Sequence, residues 1–179
     1  MGIKSFKIIF IALIIFYSSC NNKEEQPYVI QPNFDYENVE NEKIKVNREI
    51  VRRENEDIKL IAKRYNWNLN KTETGLHYMI LNQTKGKYPQ KKDIVNIKGT
   101  IELRDGKEIF NSKTDGIKQF TVDMSEEPVG LHELVKLMRT GEKSNAIIPS
   151  YLAYGISGNG TNIPAVSSLI CKIELISIN

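Results

Sequence analysis

Residues 130–155 read GLHELVKLMRTGEKSNAIIPSYLAYG, and the order of patterns in this stretch decides the fold. Leu131, Leu134, Val135 and Met138 recur at helical spacing and make one apolar face. Thr140-Gly141 ends that helix, as a glycine past the last turn does. Residues 143–148 then read as a strand, and a loop, SYLAYGISGNGTNIP, runs over 150–164. Upstream, strands are predicted over 75–82, over 93–104 with Val95, Ile97 and Ile101 partly alternating, over 108–111 and over 119–124. Asp105-Gly106 between the second and third of these is a hairpin signal. Downstream, SLICKIELISI over 168–178 puts Leu169, Cys171, Ile173 and Leu175 on one face. Many strands around one short helix predict an α+β domain whose sheet wraps that helix with one face.

Ahead of this domain the pattern changes. Over 42–66 the chain turns helical: Ile44, Val51, Ile58 and Tyr65 recur every seven residues, and Ile61 and Ala62 widen the stripe. Arg52, Arg53, Lys63 and Arg64 interleave with Glu49, Glu54, Glu56 and Asp57. Such mixed charge is most often a solvated face; the sharper reading is a face that docks an envelope protein or a second copy. The seam is too short and too polar to specify a coiled coil.

The N-terminus reads as a processing signal. Lys4 and Lys7 precede IIFIALIIFY over 8–17, which falls short of the roughly 20 apolar residues of a spanning helix. Ser18, Ser19 and Cys20 follow and resemble a bacterial lipobox, with Tyr17 where leucine is usual. That resemblance implies cleavage before Cys20 and acylation of its thiol, which anchors stably when several chains are attached. The segment also fits an ordinary signal peptide cut nearby, with Cys20 left free. NNKEEQPYVIQPN behind it reads as a tether. The expected organisation is a signal peptide over 1–19, a tether over 20–41, a helical extension over 42–71 and the α+β domain over 72–179. A lipidated Cys20 leaves Cys171 without an intramolecular partner, and in its strand Cys171 reads as a small core hydrophobe.

Composition removes several function classes. Apolar content of 40% and charged content of 26% describe a globular body. A formal charge of +3 is too small for a nucleic-acid reader that relies on phosphate neutralisation. No metal centre is expected: the two histidines, His77 and His132, are far apart, and HELVK has Lys136 where a zinc helix needs its second histidine. His77 falls in a strand and reads as a surface or edge residue. No cofactor motif is present. The glycine loop precedes a strand, whereas a phosphate loop opens a helix, so it is not a nucleotide cradle.

Taken together, DIVNIKGTIELRDGKEIFNS, QFTV, GLHELVKLMRTGEKSNAIIPSYLAYG, NIP and SSLICKIEL resemble, in that order, an FKBP-type peptidyl-prolyl isomerase over 72–179. With the lipobox and helix, the chain looks most like the gliding-motility-associated FKBP-like lipoproteins. The resemblance implies an antiparallel half-barrel sheet wrapped around the short helix, with an apolar pocket between them. It assigns Phe110 and Phe120 to the aromatic wall, the Tyr154 hydroxyl to a substrate carbonyl, and an apolar contact plus a backbone N–H to Ile163. Family positions are altered at Ile97 (usually tyrosine), Asn111 (aspartate), Leu131 (tryptophan of the floor), Cys171 (phenylalanine) and Glu127-Pro128 (an aliphatic pair). These changes trim aromatic surface and hydrogen bonding. The implied function is a cofactor-free isomerase of proline-containing polypeptides on the periplasmic side or outer membrane of the cell envelope. The alternative is an FKBP-like chaperone or binding subunit of weak activity.

Overall fold

A computed structural model describes residues 36–179. The signal peptide, Cys20 and the tether up to residue 35 lie outside the described residues. Contacts divide the chain between Val39 and Glu40, and the sheet and the site lie in the unit Glu40–Asn179.

The first helix, α1, spans Tyr36–Tyr65. It starts before the expected Glu42, so residues 36–41 are helix rather than tether. The reason is local: no Gly or Pro occurs from 36 to 65, and Lys63 and Arg64 sit in the last turn, where they complement the helix dipole. Ion pairs from Glu49 to Arg52 (2.7 Å) and Arg53 (2.8 Å), and from Arg52 to Glu56 (2.6 Å), brace its exposed face.

The strands are β1 (Asn70–Lys71), β2 (His77–Ile80), β3 (Ile94–Glu102), β4 (Glu108–Asn111), β5 (Lys118–Thr121), β6 (Lys143–Ile148) and β7 (Leu169–Ile178). A short helical turn, α2 (Ser112–Asp115), follows β4, and α3 (Val129–Lys136) precedes β6. The sheet runs β1-β2-β6-β7-β3-β4, all pairs antiparallel. β5 shares an edge of β3 with β4: it pairs residues 94–97, while β4 pairs residues 100–102. β1, α2 and a 3-10 turn at Ser150–Leu152 had no signal in the sequence reading.

The core follows from the period of two along β6 and β7. Ala146 and Ile148, with Leu169, Cys171, Ile173 and Leu175, face α3, whose Leu131, Leu134 and Val135 are buried against them. The intervening Ile147 and Ile170 face the opposite way and meet Ile58 and Ile61 of α1. The sheet is therefore covered on both faces, where one covered face was expected. Burying Ile58 and Ile61 contributes on the order of 1.5–3 kcal/mol each. Of the heptad stripe, Ile58 and Tyr65 pack, while Ile44 and Val51 stay exposed. Tyr65 stacks on Trp67, donates to Glu102 and lies under the Lys172 ammonium at 4.5 Å, which pins the end of α1 to the sheet.

His77 is not at an edge. Its strand lies between β1 and β6, and its Nδ1 is buried without a hydrogen-bond partner. Burial, then the charge of Lys71, lowers its pKa below the ordinary histidine value.

Candidate active site

The floor comes from α3. Pro128 caps the helix through its backbone: its carbonyl accepts the N–H groups of Leu131 (2.9 Å) and His132 (3.2 Å). As a proline it offers no N–H at this rim. Leu131, on the first turn, is fully buried. Around it the strands deliver Ile97 from β3, Phe110 from β4, Phe120 from β5 and Cys171 from β7, and the long loop returns Ile163. All six side chains belong to one buried cluster, and Tyr154 packs against it half-buried. Residues spread over 97–171 thus share one core cluster.

Asn111 does not join them. Its Oδ1 accepts the Lys113 N–H at 3.0 Å and its Nδ2 donates to Glu108, so it caps α2 rather than facing the cluster.

Each aromatic has a polar support that sequence reasoning did not single out. The Phe120 ring meets His132 edge-on at 5.3 Å. His132 Nδ1 accepts the Asp123 N–H (3.1 Å), which leaves Nε2–H to donate to the Ser125 carbonyl (3.2 Å). The imidazole thereby fixes the turn that carries β5 to α3. Phe110 has the Lys118 ammonium 5.4 Å from its ring centre, and Lys118 pairs with Glu127 at 2.8 Å. This ion pair is about three-quarters buried, with side-chain exposures of 25% and 22%. A charged position in an apolar wall gives no periodicity signal, so only proximity in the fold reveals it.

Tyr154 sits just past the 3-10 turn, where the Gly155 N–H donates to the Ser150 carbonyl at 2.8 Å. Burial, then the charge of Glu127, raises the pKa of its hydroxyl. No partner among the described residues hydrogen-bonds that hydroxyl. It is held protonated and free to donate.

The glycine loop closes on itself. Asn159 Oδ1 accepts the N–H groups of Thr161 (3.1 Å), Asn162 (3.1 Å) and Ile163 (2.8 Å), and the Asn159 N–H donates to the Ile163 carbonyl. Gly158 has φ +68°, and a Cβ there would lie 2.2 Å from the Ile163 oxygen. Three successive N–H groups of the loop, those of 161–163, converge on Asn159. The Ile163 N–H that the resemblance assigns to substrate is also spent there. Ile163 contributes apolar surface.

Burial pushes the Cys171 thiol up to about 12, with the charge of Glu102 adding to it. The expected outcome is that a thiol reagent at pH 8 leaves Cys171 unmodified in the native chain and labels it after unfolding in urea. Labelling at the native rate of an exposed cysteine would place Cys171 outside the core.

The cluster is apolar, with the half-buried hydroxyl of Tyr154 beside it. Among the described residues no three His, Cys, Asp or Glu side chains gather as a metal site. The profile of the family described as FKBP-type peptidyl-prolyl cis-trans isomerase matches residues 85–176, a little over half the chain. The chain belongs to that family. Its FKBP domain is 36% identical over 115 residues to the FKBP-type 22 kDa peptidyl-prolyl cis-trans isomerase of Escherichia coli K12, covering 62% of this chain and 53% of that protein. It is 35% identical over 105 residues to the outer membrane protein MIP of Legionella longbeachae, covering 59% of this chain and 45% of that one. The chain therefore spans about half the length of these curated relatives. The crystal structure of FkpA from Escherichia coli superposes with a TM-score of 0.63 at 24% identity, covering 100% of this chain and 84% of that one, a likeness of fold.

Proposed function

We propose that the chain is a peptidyl-prolyl cis-trans isomerase, anchored to the cell envelope through a lipidated Cys20 and acting on exported polypeptides. The observation that carries the reading is the meeting of Phe110, Phe120, Leu131 and Ile163 in one buried cluster with the free hydroxyl of Tyr154 beside it. Rotation about an X–Pro bond is slow because the planar amide is conjugated, with a barrier of about 18–20 kcal/mol. The twisted amide has lost that conjugation and is less polar across C–N, so a dry aromatic wall favours it over either planar form. Tyr154 donates to a carbonyl of the bound segment and orients it. No nucleophile or proton transfer is required of the chain.

The test is isomerisation of an Xaa-Pro peptide by the full chain in detergent. The expected result is a rate above background that stays flat from about pH 6 to pH 9, because the Tyr154 pKa is raised and its hydroxyl remains protonated across that range. A folded chain with no rate above background would sink the reading, and a rate that falls between pH 7 and 9 would remove Tyr154 from it.

The envelope assignment rests on the N-terminal signal and on the likeness to a relative named as an outer membrane protein. Among the described residues no helix is long and apolar enough to cross a membrane. Cys20→Ser is expected to abolish incorporation of labelled lipid and to release the chain into the soluble fraction. A mutant that still sediments with membranes would show that the lipid is not the anchor. A role in gliding motility is the narrowest part of the proposal and rests on the order of lipobox, helix and FKBP domain.

One observation favours a second reading, that of a binding subunit of an envelope machine. On α1, Ile44, Val46, Val51 and Leu60 are exposed beside the charges of Arg52, Arg53, Lys63 and Arg64. Under that reading, charge reversal at these basic positions abolishes cellular function, while loss of isomerisation leaves it intact.

A further inference from the structure

We propose that Glu54 of α1 is a positioning residue for the site, clamping both feet of the loop that carries Tyr154 and Ile163. The proposal rests on the isomerase reading for its link to catalysis.

Glu54 lies outside the family match, on a helix whose other acidic residues are solvated. It is nevertheless buried, 6% exposed. A carboxylate so placed is costly unless its oxygens are satisfied. Its Oε1 accepts the Ser150 N–H at 2.6 Å and the Ser168 hydroxyl at 2.6 Å, and its Oε2 accepts the Ser150 hydroxyl at 3.1 Å. Ser150 begins the 3-10 turn that leads into Tyr154, and Ser168 immediately precedes β7, so the two donors are the entry and exit of the loop. One side chain from a distant helix therefore ties together two points 18 residues apart in sequence, with the site residues between them.

At the return leg hydrogen bonding makes this tie. A cleft of about 490 Å³ lies beside Glu54, with Ile50, Arg53 and Ile61 of α1 on one side and the loop's return leg, Pro164 to Ser168, on the other. The loop's own bonds, Val166 N–H to the Gly155 carbonyl and the Asn159 set, hold its interior shape, while its far end is held by the buried Ile163 and by Lys107 Nζ, which donates to the Asn162 carbonyl at 3.0 Å. Glu54 registers the two feet, Ser150 and Ser168, against each other. An α1 displaced by a partner would release the loop.

The test compares the full chain with Glu54→Ala, Glu54→Gln and Ser168→Ala by hydrogen exchange, thermal melting and peptide isomerisation well below the melting temperature. Glu54→Ala is expected to speed amide exchange across 150–168 by about ten-fold and to lower kcat/KM by about ten-fold, as loss of the carboxylate's bonds dictates. Glutamine keeps an oxygen for the Ser150 N–H and the Ser168 hydroxyl and turns its NH₂ to the Ser150 oxygen, so Glu54→Gln is expected to stay within about two-fold of the parent. Ser168→Ala leaves α1 intact and is expected to raise exchange about three-fold, confined to the return leg; it decides the matter if Glu54→Ala does not fold. Unchanged exchange over 150–168 in Glu54→Ala, with only a lowered melting temperature, overturns the proposal, because Glu54 would then merely dock α1. Equal losses in the Gln and Ala variants also overturn it. A parent chain without turnover removes the isomerase reading, and the exchange comparison then decides the clamp by itself.

Discussion

Gly130→Val is expected to lower the stability of the chain by at least about 3 kcal/mol and to take the site with it. A Cβ on Gly130 would stand 2.4 Å from Ile148 Cγ2, 3.1 Å from Leu152 Cβ and 3.1 Å from the Leu152 oxygen. Ile148 is fully buried at the end of β6, and Leu152 belongs to the 3-10 turn before Tyr154. None of these atoms is the loose end of a surface side chain, so α3 itself must withdraw. Withdrawal lifts Leu131, the next residue, from the floor. The alanine variant gives the sharper sign. Gly130 is the second residue of α3, where Gly→Ala is normally favourable by up to about 1 kcal/mol, so a loss in Gly130→Ala, read from the urea midpoint at constant slope, isolates the close approach of helix and loop. A gain in stability would show that α3 and the loop do not meet as described.

How much of this was legible in the sequence depended on how each residue is buried. β4 and β6 fall at 108–111 and 143–148 as expected, because turn residues bound them on both sides. α3 was legible from its apolar spacing. The second covered face of the sheet was not, because Ala146, Ile147 and Ile148 are all apolar and a strand buried on both faces loses its alternation. Glu54 was invisible for the opposite reason: among the charges of α1 a buried carboxylate looks like a solvated one, and only the positions of Ser150 and Ser168 reveal its task. The six clustered site residues come from separate elements, so no local pattern joins them. The order of motifs did, through the family resemblance, and it also misled at two places. Asn111 sits at its matched position but caps α2, and the Ile163 N–H is occupied by Asn159. A motif match fixes where a residue stands along the chain; which way its polar atoms turn is settled by neighbours that the motif does not contain.

Phe110→Ala and Tyr154→Phe are expected to fail in different ways, and the contrast separates an enzyme from a binding module. Phe110 is buried in the cluster and carries the Lys118 ammonium against its face, so its truncation leaves a cavity beside a partly buried ion pair. The expected loss is about 3–5 kcal/mol of stability, with isomerisation reduced in parallel because the wall that excludes water is gone. Phe110→Leu restores most of the volume and little of the aromatic face; recovery of stability without recovery of kcat/KM assigns the ring to the reaction. Tyr154→Phe removes a hydroxyl that has no protein partner among the described residues. Its melting temperature is therefore expected to stay close to that of the parent, while kcat/KM falls by about ten-fold, the value of one hydrogen bond made to the bound segment. A Tyr154→Phe variant with parental kcat/KM would remove the hydroxyl from the reaction and leave catalysis to the apolar wall. The binding-module reading requires the other result: folded Tyr154→Phe and Phe110→Leu variants that have lost turnover should support cellular function as well as the parent does, whereas an enzyme should lose function with turnover.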